Sequence, residues 1–205
     1  VGEHHRPDFA ISSPAVVLAA IARTTKRIRL TSTVTVLSTS DPVRVFEDFA
    51  TVDLVSGGRA ELTAGRGAYI ESYPLFGYRL EDYDELFDEH LGLLLDMNRS
   101  ERVTWQGRHR APLKDAGVYP RPVQDRLPVW IAVGGTPASV VRAGRLGLPV
   151  YFAILGNPAG FVPLADLYRR WALESGMPER TRIGVTSHFH IGRSSQVARD
   201  TFYPY

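Results

Sequence analysis

The sequence contains no cysteine among its 205 residues. This absence excludes disulfide bonds, thiolate metal ligands and a cysteine nucleophile. The sequence also has no apolar run near the roughly 20 residues that span a membrane, and its first residues lack the pattern of a secretory signal. We therefore expect a cytoplasmic protein that does not associate with a membrane.

The sequence has no strong excess of either charge. Lys and Arg total 24, Asp and Glu total 22, and the two signs are interleaved along the chain. Nucleic-acid binding is not expected, because it needs a clustered basic surface. Hydrophobic residues make up 44% of the chain, enough to bury a substantial core. We therefore expect one folded domain over residues 1–205.

Strand and helix patterns alternate along the first hundred residues. A capping hydroxyl at Ser12 or Ser13, followed by Pro14, predicts a helix that ends near Thr25. A run of β-branched residues predicts a strand over 28–37. The same reasoning predicts a strand at 59–65 and helices at 42–57 and 81–97.

Residues 99–127 interrupt this alternation with prolines, basic residues and short apolar runs, which predict an inserted hairpin and loop. Beyond the insertion, strands are predicted at 128–133, 149–155 and 182–192, alternating with helices that begin near Thr136, Phe161 and Ser194. The alternation predicts an α/β fold with helices covering a parallel sheet, either a barrel or a doubly wound sheet. About six strands are predicted, fewer than the eight of a complete barrel, which takes roughly 250 residues.

Two glycine-rich turns follow predicted strands. Arg66 lies between two glycines in LTAGRGAY, and GGTPAS places Gly134, Gly135, Thr136 and Ser139 at the start of a helix. Backbone amides at a helix start, together with a nearby guanidinium, are typical of a phosphate site. The structural alternative is a tight turn capped by Thr136, with an arginine that is solvated or paired with a carboxylate.

The histidines give a weaker signal. Neighbouring residues on a strand point to opposite faces, so His4 and His5 are not expected to share a metal ion, and no metal site is predicted. Either imidazole could act as an acid or base, with a purely structural role as the alternative. His188 and His190 are expected to share one strand face that lines the core or the barrel mouth.

Four blocks in this order resemble the luciferase-like flavin-dependent monooxygenases: EHH near the amino terminus, residues 12–37, residues 41–69 and residues 127–149. The resemblance implies a (β/α)8 TIM barrel of the bacterial luciferase type, incomplete here because the first unit and the last one or two are missing. It also implies FMN at the barrel mouth and O2 as the oxidant of a small organic substrate. Electrons would come from NAD(P)H directly or through a flavin reductase, and the protein would be a homodimer.

The resemblance further implies roles for individual residues. Arg66 matches the arginine that contacts the flavin phosphate, and Gly134, Gly135, Thr136 and Ser139 match the rest of that pocket. His4 matches the histidine that transfers a proton near the flavin. The remaining positions imply cofactor contacts: Gly67, where the backbone closes on the cofactor as at Gly65; Tyr69 in the pocket wall; and Thr33 and Val34, where the family has a non-proline cis peptide behind the flavin ring.

Two departures from the luciferases argue against light emission. Gly65 replaces their reactive cysteine, and Ile154 stands where they have a pocket tryptophan. An oxidoreductase dependent on the deazaflavin F420, from the same superfamily, is the main alternative, although the sequence GRG favours FMN. A non-catalytic flavin-binding protein is the second alternative. A hydrolase is disfavoured because the sequence has no G-x-S-x-G motif.

Overall fold

The computed structural model describes residues 1–188 and 190–203. Helices and strands alternate through this part of the chain. In chain order they are α1 (Pro14–Thr24), β1 (Leu30–Thr31), β2 (Thr35–Val36), α2 (Pro42–Ser56), β3 (Ala60–Gly65), α3 (Ser72–Leu75), α4 (Tyr83–Arg99), β4 (Arg102–Trp105), β5 (Leu113–Gly117), β6 (Val129–Val133), α5 (Pro137–Leu146), β7 (Val150–Ala153), α6 (Val162–Glu174), β8 (Ile183–Thr186) and α7 (Ser195–Phe202).

The main sheet is parallel and has the order β1–β3–β6–β7–β8, with β2 also paired to β3. The amino terminus runs beside its first strands, because the Thr33 amide donates to the Val1 carbonyl at 2.6 Å. Residues 1–9 nevertheless form no strand. The sheet curls into part of a barrel, which confirms the prediction of an incomplete barrel.

The core lies between the sheet and its helices. All six residues of β3 are buried, as expected for a parallel strand covered on both faces. Phe46 and Phe49 of α2 and Leu91 and Leu94 of α4 join the same apolar cluster. This packing fixes β3, and with it the direction in which the chain leaves the carboxyl end of that strand.

The strand predicted at 28–37 is wrong in detail, because it is divided into β1 and β2. Between them, the buried Ser32 hydroxyl accepts a hydrogen bond from the Thr63 amide at 3.3 Å and donates to the Thr63 carbonyl at 3.4 Å. A side chain therefore replaces the main-chain ladder at this point. The Thr33–Val34 peptide in the interruption is cis, in the place that the resemblance implied.

The last predicted strand is shorter than expected. β8 ends at Thr186, and its register pairs it with β7. His188 and His190 lie beyond the strand and are exposed, so the expectation that they share one strand face in the core is wrong. The predicted strand also included Phe189, which lies outside the described residues.

The segment predicted as an insertion contains an antiparallel hairpin of β4 and β5. Glu89 of α4 holds the hairpin loop, because its carboxylate accepts hydrogen bonds from three successive amides, Arg108, His109 and Arg110. Farther along, the buried Asp53 carboxylate accepts from the Ala60 amide and from both the backbone and the side chain of Gln124. These contacts fasten the segment to the barrel at two places.

Helices α1 and α2, which both begin with proline, differ in how they are capped. Asp41 has an extended backbone, and its carboxylate accepts hydrogen bonds from the Val43 and Arg44 amides at 2.8 and 3.2 Å. The hydroxyl cap predicted before Pro14 is wrong. Ser13 has a ψ of 85°, outside the extended region of a capping residue, and makes no side-chain cap hydrogen bond.

This difference gives a matched pair of variants. Asp41→Ala is expected to lower the free energy of unfolding by about 1 kcal/mol, because two helix amides lose their acceptor. Ser13→Ala occupies the equivalent position before α1 and is expected to change stability by no more than a few tenths of a kcal/mol. Urea denaturation followed by circular dichroism measures both. Equal losses would show that the carboxylate cap contributes nothing.

Candidate active site

The site forms where two neighbouring strands end. β3 and β6 are parallel and paired in the register Leu62↔Val129 and Ala64↔Ile131. Their carboxyl ends therefore lie at the same edge of the sheet. The chain leaves β3 through the segment 66–69 and leaves β6 through the loop 134–136, so these two segments are adjacent.

Arg66 reaches across from one segment to the other. Its Nη2 donates to the Ser139 Oγ at 3.0 Å, which places the guanidinium at the first turn of α5. The Arg66 side chain is only 12% exposed, and its guanidinium lies 4.5 Å from the centre of the Tyr83 ring. It also forms an ion pair with Asp84 of α4. The structure thus brings Arg66 and Ser139 together, as the sequence predicted.

The loop before α5 is open. A Cβ added at Gly134 or Gly135 would meet no protein atom within 4 Å, and Gly135 has a φ of 130°, which favours glycine. Thr136 occupies the N-cap position but makes no side-chain cap hydrogen bond, so the structural alternative of a capping threonine is wrong. The helix start and the Thr136 hydroxyl can therefore receive an anion beside Arg66.

The two glycines that flank Arg66 are required for different reasons. A Cβ on Gly65 would lie 2.7 Å from the Val34 Cγ2, so packing against Val34 requires glycine at this position. Gly67 has a φ of +87°, a conformation that side chains rarely adopt, and a Cβ there would be 3.3 Å from Val36. Gly67 therefore allows the turn by which the segment 66–69 leaves the end of β3.

His4 lies on the other side of the segment 66–69. Its ring is 4.1 Å from that of Phe9 and 5.2 Å from that of Tyr69, measured between centroids. His4, Gly67 and Tyr69 line a recess of ≈ 10 Å³, which is about the volume of one water molecule. Burial lowers the pKa of His4, although the charges of Glu3 and Asp8 oppose the shift. The imidazole is therefore neutral at neutral pH and can accept a proton.

Glu3 is a site residue that sequence reasoning did not select. Its carboxylate is buried, accepts a hydrogen bond from the Val36 amide at 2.9 Å and pairs with the His5 Nε2 at 2.8 Å. The His5 imidazole is therefore paired with the Glu3 carboxylate, whereas the His4 imidazole contacts the rings of Phe9 and Tyr69. The acidic residue directly before two histidines was the signal that could have identified it.

The predicted site residues form two groups. Thr33 lies near His4, because a Cβ on Gly2 would be 2.9 Å from the Thr33 carbonyl oxygen and 3.5 Å from the His4 Nε2. Val34 follows Thr33 and packs against Gly65. Arg66 belongs with the start of α5. The segment 66–69 joins the two groups, with Tyr69 on the His4 side.

Among the described residues, the side chains of Asp82, Glu85 and His109 have potential metal-ligating atoms within 4.8 Å of one another. The Arg108 guanidinium already contacts Glu85 at 2.7 Å. A cation would have to compete with that pair, so we assign no metal to the cluster. In the same part of the chain, no helix combines the length and the apolar character needed to cross a bilayer.

Comparison with known proteins decides the family. The family model described as luciferase-like monooxygenase matches residues 1–205. The chain belongs to this family. The resemblance inferred from the four sequence blocks is therefore confirmed.

The relatives of this chain have names that describe different activities. The chain is 31% identical over 160 residues to the N-acetyl-S-alkylcysteine monooxygenase of Bacillus subtilis, covering 77% of this chain and 46% of that protein. It is 34% identical over 134 residues to the F420-dependent glucose-6-phosphate dehydrogenase of Amycolatopsis mediterranei, covering 63% and 39%. The chain spans about half the length, or less, of the curated relatives it matches.

Solved structures support the fold. Monooxygenase RslO1 of Streptomyces bottropensis superposes with a TM-score of 0.87 at 24% identity, over 98% of this chain and 62% of that one. The oxygenating constituent of 3,6-diketocamphane monooxygenase of Pseudomonas putida, solved with FMN, gives a TM-score of 0.74 at 19% identity, over 89% and 55%. At these identities the likeness establishes the barrel architecture alone.

Proposed function

We propose that this luciferase-like chain carries the cofactor phosphate site and the proton-transferring histidine of an FMN-dependent monooxygenase. Such an enzyme uses reduced flavin and O2 to oxidise a small organic substrate. The observation that carries the proposal is the Arg66 guanidinium at the Ser139 hydroxyl, at the open amino-terminal end of α5.

The donor set fits a phosphate monoester. A largely buried arginine provides charge-assisted hydrogen bonds, and the exposed loop 134–136 provides amides and a hydroxyl at a helix start. The space above Gly134 and Gly135, where a Cβ would meet nothing, leaves room for the phosphate. Arg66, Ser139 and this loop would hold that group, and reduced FMN when bound supplies the electrons that activate O2.

His4 would hold and move a proton at its imidazole. Its lowered pKa keeps the ring neutral near pH 7, and a neutral imidazole can both accept and deliver a proton. The rings of Phe9 and Tyr69 pack against the imidazole. We assign Thr33, Val34 and Gly67 to contacts with the rest of the cofactor.

An F420-dependent oxidoreductase is the second candidate. It is favoured by the F420-dependent relative that is 34% identical to this chain, and F420 also carries a phosphate that could use the same donors. With either cofactor we propose a cytoplasmic homodimer. We also propose that electrons reach FMN from NAD(P)H, directly or through a flavin reductase.

The test is to purify the full-length protein, record its visible spectrum and identify the released cofactor. FMN, or reconstitution by FMN with NAD(P)H-dependent O2 consumption and product formation, supports the proposal. F420 in its place supports the second candidate. Tight flavin binding with no turnover, with or without a reductase, would contradict the monooxygenase and indicate a flavin-binding protein.

A further inference from the structure

Asp84 contacts the cation of the proposed phosphate site. It lies in the first turn of α4, and its carboxylate pairs with the Arg66 guanidinium. The two partners are unlike in burial, because the Asp84 side chain is 69% exposed and that of Arg66 is 12% exposed. The arginine contacts Ser139 and the Tyr83 ring, whereas most of the Asp84 side chain is in contact with solvent.

A second arginine lies within reach of the same carboxylate. Arg142 follows Ser139 by three residues on α5, and its Nη2 is 4.0 Å from the Asp84 Oδ1. Its side chain is only 14% exposed, and both its Nε and its Nη2 pair with Asp88, the Nη2 at 3.2 Å. Its Nη1 is buried and has no hydrogen-bond partner among the described residues. Asp84 thus lies between two largely buried guanidinium groups and is nearer to Arg66.

The charges of this cluster cancel. Arg66 and Arg142 are balanced by Asp84 and Asp88, all four of which are joined by ion pairs. The Asp84 carboxylate accepts from Nη1 of Arg66 and the Ser139 hydroxyl from Nη2, so a phosphate that binds this guanidinium beside Ser139 lies next to a carboxylate. Like charges at such short range repel, so the carboxylate opposes phosphate binding unless it moves away.

We propose that Asp84 is a specificity-determining residue of the anion pocket, an internal carboxylate that a cofactor phosphate must displace from Arg66. Arg142 is the cation to which the displaced carboxylate turns. The consequence is a pocket that favours phosphorylated over unphosphorylated flavin less strongly than Arg66 alone would allow. This inference rests on the proposed function, because it concerns the same phosphate site.

The first experiment measures FMN and riboflavin dissociation constants by flavin fluorescence for the full chain and for Asp84→Asn. FMN is expected to bind about 1.5-fold to fivefold more tightly to the variant, the range set by one exposed ion pair. Riboflavin affinity is expected to stay unchanged. Asp96→Asn is the matched control, because Asp96 lies on α4, is exposed and pairs with Arg99, away from Arg66; it should alter neither constant.

Double-mutant cycles separate the mechanism from a general charge effect. In an Arg66→Ala background, Asp84→Asn is expected to have no effect on FMN. Arg142→Gln is expected to weaken FMN binding in the wild-type background and to have no effect in Asp84→Asn, because it acts only by receiving the carboxylate. A persistent effect of Arg142→Gln would assign Arg142 to the phosphate itself and overturn its proposed role.

These measurements distinguish a failure of the proposed phosphate site from a failure of the inference about Asp84. If the wild-type chain binds FMN no better than riboflavin, the proposed phosphate site is wrong and the inference fails with it. If the wild type prefers FMN but Asp84→Asn leaves that preference unchanged, only the inference fails. A gain in FMN affinity equal to the gain with Asp96→Asn would likewise contradict it.

Discussion

Arg66→Ala is expected to weaken FMN binding by about 1.5–3 kcal/mol, the value of a hydrogen bond to a charged group. This is a loss of about 10-fold to 150-fold in affinity. Riboflavin, which has no phosphate, is expected to bind the variant about as well as it binds the wild type. The difference arises because the guanidinium is oriented by Ser139 and largely removed from water, so its replacement leaves no other cation in the same position.

The measurement is a pair of titrations, with FMN and with riboflavin. Arg79→Ala is the control, since Arg79 lies in the loop before α4, is 76% exposed and pairs only with the neighbouring Glu81 among the described residues. Ser139→Ala tests the orientation and should lose about 0.5–1.5 kcal/mol of FMN affinity. If Arg66→Ala weakens both ligands equally, Arg66 shapes the pocket without binding the phosphate.

The meeting of Arg66 with the start of α5 could be predicted from the sequence. Two strands that are neighbours in a parallel sheet end at one edge, and each was followed by a glycine turn. No information beyond strand order was needed to bring the two turns together. The start of α2 at Asp41–Pro42 could also be predicted, because the capping carboxylate lies within three residues of the amides that donate to it.

Contacts between distant segments could not be predicted in this way. Asp84 is 18 residues beyond Arg66, and only the packing of α4 beside α5 brings its carboxylate to the guanidinium. His90 was assigned no role, yet its buried Nδ1 donates to the Leu37 carbonyl at 2.8 Å. Gly65 similarly depends on Val34, a residue in the interruption between β1 and β2. Hydrophobic periodicity carries no information about such polar partners.

His4→Gln is expected to lower product formation by about 100-fold to 10,000-fold, the usual contribution of a positioned acid or base. Flavin binding should be retained, because His4 contacts Phe9 and Tyr69 rather than the donors at α5. The readout is product formed per NAD(P)H oxidised, with a substrate found in the turnover assay. His188→Gln is the control, since His188 is exposed beyond β8. Full product formation by His4→Gln would exclude the role.

The pH dependence of activity distinguishes proton transfer by His4 from a structural defect in the variant. Burial lowers the pKa of His4 from its ordinary value of 6.5, so the folded protein keeps the ring neutral from alkaline pH down to below pH 6.5. Activity that depends on the neutral imidazole should therefore be constant around pH 7 and fall only as the pH drops through the lowered pKa. His4→Gln should abolish this acid limb together with the rate, leaving a residual activity that does not depend on pH in the same range. An unchanged acid limb in the variant would assign the titration to another group.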